Sequence, residues 1–85
     1  MTLQELQQRC PIGSAWRHCQ GSIYVVRGHY RDEASGEYGV LYSHNDGYGT
    51  LWGRLVSSWF GAIGKDVSGE DVLRFVRIDG EEETS

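Results

Sequence analysis

Apolar and polar residues alternate with a period of two through the middle of this chain, and a helical spacing shows at only two short places. Ile23–Arg31 gives the longest alternation. Ile23, Val25, Arg27 and His29 are predicted on one side, and Tyr24, Val26 and Tyr30 on the other, with Gly28 between them. Ala15–Cys19 precedes it as a short strand across a Gly21-Ser22 turn. Glu37–Ser43 reads as the return strand, with Tyr38, Val40 and Tyr42 on one face and Leu41 opposite, after a polar loop of Asp32 to Gly36. Asn45-Asp46-Gly47 is a hairpin signal leading to a fourth strand, Gly49–Arg54, around Leu51 and Trp52. Asp71–Ile78 is predicted as the last strand.

The helical spacing falls first at the start. Thr2-Leu3-Gln4-Glu5 is a capping-box pattern, and Leu3 and Leu6 share one side of a short helix that Pro11 ends. It returns at Leu55, Val56, Trp59 and Phe60, which suits a single turn before Gly61 and Gly64. Gly61–Lys65 hints at a phosphate loop but lacks its spacing and its Ser or Thr, so it is read as a loop, as is Asp66–Glu70. Several short strands with regular turn signals predict a mainly β, small SH3-like barrel of about five strands with a short N-terminal helix. Closure would remove the exposed edges of so short a sheet.

Length permits one domain: helix about 3–9, barrel about 13–78 and acidic tail 79–85, within 85 residues. The core of so small a domain is thin, and 3 Trp, 5 Tyr and 2 Phe must supply much of it. The formal net charge is −4, but residues 1–78 hold 8 basic and 8 acidic groups; the excess lies in Asp79, Glu81, Glu82 and Glu83. A neutral body lacks the basic footprint of a duplex DNA binder. No signal peptide or membrane-spanning run is seen, so a cytoplasmic setting with Cys10 and Cys19 as free thiols is expected.

The run Gly13-x-x-Trp16-Arg17-His18-x-x-Gly21-x-x-Tyr24-x-Val26 resembles the opening of a small bacterial and phage family, the domain-of-unknown-function family numbered 1653. Val40-Leu41-Tyr42, the run from Gly49 to Phe60 and Arg74-Phe75-Val76-Arg77-Ile78 are similar to its later segments. Cys19, Gln20 and Leu55 depart from its pattern, where an aromatic, a basic residue and a proline are usual. The resemblance covers about residues 12–78. It implies a small SH3-like barrel and no assigned activity.

The most distinctive chemistry is Arg17-His18 with Trp52-x-Arg54: two guanidinium forks, an imidazole and an indole that could line one groove with Tyr24 and Tyr42. The plainer alternative is an internal Arg–Trp stack with ion pairs to Asp32 or Glu37. Tyr24, Tyr30, Tyr38, Tyr42 and Tyr48 could form a stacking platform or fill the core. His18, His29, His44, Cys10 and Cys19 lack metal-ligand spacing, so no metal or cofactor is expected. Cys19 beside His18 is not expected to form a dyad, because neighbours on a strand point to opposite faces.

The reading is therefore a non-catalytic binding module, a phage or prophage accessory protein, that takes a protein or peptide on the Arg/aromatic face. An alternative is sequestration of a nucleotide signal against host defence; a weaker one is binding of single-stranded nucleic acid. Trp59 and Phe60 beside Gly61 suggest an apolar patch suited to a homodimer.

Overall fold

The computed structural model describes residues 1–45 and 49–79. Asp46 and Gly47 of the Asn45-Asp46-Gly47 turn signal, Tyr48 and the glutamates of the acidic tail therefore lie outside the described residues.

Helix α1 spans Leu3–Arg9. Its N-terminus carries the predicted reciprocal cap: the Glu5 N–H donates to Thr2 Oγ1 at 3.1 Å and the Thr2 N–H to Glu5 Oε1 at 2.8 Å. Leu6 is the one buried side chain of α1, and Cys10 at the C-cap is buried beside it. Strands β1 (Ala15–His18), β2 (Ile23–Arg31), β3 (Tyr38–His44) and β4 (Trp52–Leu55) follow, then the single turn α2 (Val56–Trp59). Strands β5 (Ala62–Lys65), β6 (Asp71–Leu73) and β7 (Phe75–Arg77) complete the described chain.

The main sheet is antiparallel in the order β4-β3-β2-β1-β7, and β5 and β6 form a separate hairpin. The sheet does not close: β4 and β7 are opposite edges, so the predicted barrel is corrected to an open sheet. The reason lies in lengths and in α2. The two edge strands have 4 and 3 residues, too few to curl across the inner face. Trp59, projecting from α2, fills that face instead. It is fully buried, stacks on Phe75 at 3.9 Å between ring centroids, and meets Tyr42 at 4.9 Å and Trp16 at 5.5 Å edge-on. The proposed Trp59–Phe60 surface patch is likewise corrected, since Trp59 is the centre of the core and Phe60 is partly buried with the Arg9 guanidinium 3.9 Å over its ring.

Three further expectations change. Gly61–Lys65, read as a loop, contributes β5, which pairs with β6 although every β5 side chain is exposed. The last strand is broken at Arg74 into β6 and β7, because the Arg74 N–H turns to the Gly61 carbonyl. A bulge between Val26 and Gly28 reverses the predicted facing of the end of β2. His29 then lies opposite Val40 on the inner face, and its Nε2–H donates to the Cys10 carbonyl at 2.7 Å under α1. Tyr30 turns to the outer face and lies over Gly39 and Gly53, where a methyl group on Gly39 would overlap its ring.

Glu37, proposed as an arginine partner, accepts the Ser57 N–H at 2.7 Å and so serves the first turn of α2, whose own N-cap Leu55 offers no side-chain acceptor. Asp32 accepts the Ser35 N–H at 2.9 Å within its loop. No helix among the described residues is long and apolar enough to cross a membrane.

Candidate functional site

Strand register assembles the site. Trp16 lies opposite Tyr24 and His18 opposite Phe75; Tyr24 lies opposite His44, Val26 opposite Tyr42, and Tyr42 opposite Trp52. Side chains of directly opposed residues share a face. Aromatic rings thus run across the inner face from one sheet edge to the other. Trp59 and α1 cover part of this row. The part around Tyr24, His44 and Trp52 is left partly open: Trp52 is 36% exposed, and Tyr24, His44 and His18 are half-buried.

Within this shelf the Tyr24 and His44 rings stack at 4.9 Å with planes 28° apart. Trp52 meets His44 edge-on at 5.0 Å and Tyr24 at 6.0 Å. Below them Tyr42 is 6% exposed, with its ring 5.2 Å from Tyr24 and 6.0 Å from Trp52. His18 closes the other end, 5.1 Å from Phe75 and 6.3 Å from Tyr24.

Five of the six predicted site residues, His18, Tyr24, Tyr42, Trp52 and Arg54, therefore share one face. Arg17 does not. The pleat turns it to the outer face, exposed, between Ile23 and Val76. The expected groove with two guanidinium forks is corrected to a shelf with one. That one is largely committed to the fold: Arg54 Nη1 donates to Ser58 Oγ at 2.9 Å, Nε approaches Tyr42 Oη at 3.4 Å, and the guanidinium carbon sits 5.5 Å from the Phe75 ring centre. It braces the shelf from beneath. Neither expected ion pair, to Asp32 or Glu37, is formed by Arg54.

His18 and Cys19 do touch, against expectation. Cys19 follows the last residue of β1, where the alternation of the pleat no longer holds. Its Sγ lies 3.6 Å from His18 Nδ1, which also accepts the Gln20 N–H at 3.1 Å. Nδ1 is thus the unprotonated nitrogen of the neutral ring. Burial, and then the charges of Arg54 and Arg74, hold the His18 pKa below the ordinary histidine value. The shelf accordingly presents a neutral imidazole at pH 7. Cys10 is different: burial pushes its thiol up to about 12, so it packs as an apolar group.

Tyr30 and Tyr38 do not join the platform. Tyr30 is on the outer face, and Tyr38 lies at the far end of β3 with Arg31 5.4 Å from its ring centre. Among the described residues no three potential metal ligands converge. The residue that sequence reasoning missed as part of the site is His44, weighed only as a metal ligand. Its signal was its phase: two beyond Tyr42, it continues the inner-face series of β3.

Comparisons with curated proteins and with solved structures gave no match. The family model described as "Protein of unknown function (DUF1653)" matches residues 14–77, a span that runs from Ser14, which receives the Trp16 indole N–H, to Arg77 at the end of β7. The chain therefore belongs to the DUF1653 family.

Proposed function

We propose that this protein is a non-catalytic recognition module that captures a protein or peptide partner on the Tyr24–His44–Trp52 shelf. The observation behind the reading is the position of Trp52. A large indole sits 36% exposed on an edge strand, held edge-on by two rings and resting on the buried Tyr42. Aromatic anchors of this kind, rigid and half-desolvated before binding, are where interfaces concentrate their energy. The shelf offers ring faces, with the neutral imidazole of His18 at its far end, which suits an apolar or aromatic side chain with a nearby hydrogen-bonding group.

A nucleotide fits less well. The second arginine that would grip its phosphate lies on the outer face, and Arg54 is engaged with Ser58 and Tyr42. The same arrangement disfavours single-stranded nucleic acid, which needs cations along its path.

The test is reconstituted binding. A partner captured by the wild-type protein is purified, and its affinity for Trp52→Ala is measured. A loss of about tenfold or more, with the circular dichroism spectrum kept, supports the shelf. Unchanged affinity, or a large thermal stabilisation by a nucleotide in place of a protein partner, overturns the reading.

A further inference from the structure

The second notable surface is the far edge of the sheet, away from Trp52. The Cys19 N–H donates to the Arg74 carbonyl and the Ile78 N–H to the Ala15 carbonyl. The Arg74 carbonyl and the Ile78 N–H thus face β1, as do the backbone groups of Val76 between them, opposite Arg17, while the Arg74 N–H turns to the Gly61 carbonyl. By the alternation of an antiparallel ladder, Phe75 and Arg77 turn theirs outward. Among the described residues no strand pairs with that side of β7.

Two grooves flank this edge and share Leu73 and Val76. The outer one, about 470 Å³, is lined by Arg17, His18, Cys19, Gly21, Asp71 and Val72 as well. The inner one, about 420 Å³, adds Arg9, Trp16, Phe60, Phe75 and Arg77. Together they form a furrow that straddles the strand, with Leu73 45% and Val76 44% exposed along it. Its rim is cationic. Arg9 stands over Phe60 on the inner side and Arg17 on the outer, and neither forms an ion pair among the described residues. The acids nearby are already engaged: Asp71 with Lys65 at 2.6 Å and Asp79 with Arg77 at 3.0 Å.

We propose that β7 accepts an extended acidic peptide segment of a partner protein as an added strand. Its backbone would bond to the outward N–H and C=O groups of Phe75 and Arg77, its apolar side chains would enter the furrow, and its carboxylates would meet Arg9 and Arg17. Main-chain pairing supplies affinity in this mode, and the side pockets supply selectivity. The charge decides between occupants. A second copy of this chain, joined edge to edge, would bring the Arg9, Arg17 and Arg77 of both copies to one seam. An acidic strand neutralises them. This site lies at the opposite sheet edge from Trp52 and meets the shelf at His18.

The experiment is a titration of isotopically labelled protein, followed by amide NMR, with a capped hexapeptide alternating valine and glutamate and with its valine–lysine counterpart. The glutamate peptide is expected to shift and protect the Phe75 and Arg77 amides, and the lysine peptide to leave them unmoved. In the double variant Arg9→Glu/Arg17→Glu, whose two side chains are exposed, the preference is expected to invert, with about a tenfold loss for the glutamate peptide. Should that variant not fold, salt gives the same answer on the wild type. Raising it from about 0.05 to about 0.5 M should weaken the glutamate peptide several-fold. Equal binding of both peptides, shifts confined to Tyr24, His44 and Trp52, no shift at all, or protection of the β7 amides by self-association would each overturn the proposal.

Discussion

The three tryptophans differ in what surrounds them, and their variants should differ accordingly. Trp59 is fully buried and stacked on Phe75, so Trp59→Ala is expected to cost about 3–5 kcal/mol in urea unfolding, a large share of what so small a domain has. Its indole Nε1–H is buried without a hydrogen-bond partner among the described residues. Trp59→Phe should therefore lose much less, because the phenyl ring retains a stacking surface and removes the unpaired donor. Comparable losses for the two variants would contradict that account. Trp16 is nearly as buried, but its Nε1–H donates to Ser14 Oγ at 2.9 Å. Trp52 is the odd one, half out of the core, and acrylamide should quench its emission far more than that of the other two. The cysteines split the same way. Iodoacetamide should alkylate exposed Cys19 in the native protein and reach Cys10, whose thiol is pushed up to about 12, only on unfolding. Mass spectrometry of the native and urea-unfolded protein reads both.

At the scale of elements, the outer face of the sheet depends on glycine. Gly39 leaves the space that Tyr30 occupies, so Gly39→Ala is expected to destabilise by about 1–3 kcal/mol, and adding Tyr30→Ala should remove most of that clash. Additive losses in the double variant would contradict it. Residue pattern made much of this level legible. The Thr2–Glu5 box marked α1, the alternation of Tyr38, Val40 and Tyr42 marked β3, and the spacing of Val56 and Trp59 marked α2. What escaped was set by tertiary contacts. The bulge between Val26 and Gly28 leaves no trace in hydrophobicity, yet it exchanges the faces of His29 and Tyr30. The break at Arg74 follows from the Gly61 carbonyl, and β5 forms with no buried side chain to announce it. Arg17 was a different matter. The pleat alone separates it from His18, and the attraction of grouping cationic and aromatic residues by type concealed that.

For the whole molecule, the open sheet leaves two unlike edges, one beside an aromatic shelf and one beside a cationic furrow. Stability should respond to pH through groups that tie these parts together. His18 has a pKa below its ordinary value, from burial and then from Arg54 and Arg74, so the unfolded chain takes up that proton more readily. Its contribution is complete above about pH 6.5 and is lost as pH falls through the folded-state value. The urea midpoint is expected to fall across that window, and His18→Asn should flatten it. Asp79 acts at lower pH. Burial works against its ionisation, but hydrogen bonds from the Ala15 N–H and the Arg77 guanidinium prevail and hold the carboxyl below the usual range. Its contribution is present above about pH 3.9 and is lost on further acidification.

The partner-binding role of the shelf is tested most directly by one comparison: the affinity of a purified partner for Trp52→Ala beside that for Val67→Ser. Val67 is a fully exposed apolar side chain in the loop between β5 and β6, so its loss controls for surface hydrophobicity. The shelf predicts about a tenfold or greater loss for Trp52→Ala and none for Val67→Ser. Equal affinities for the two variants and the wild type would contradict it.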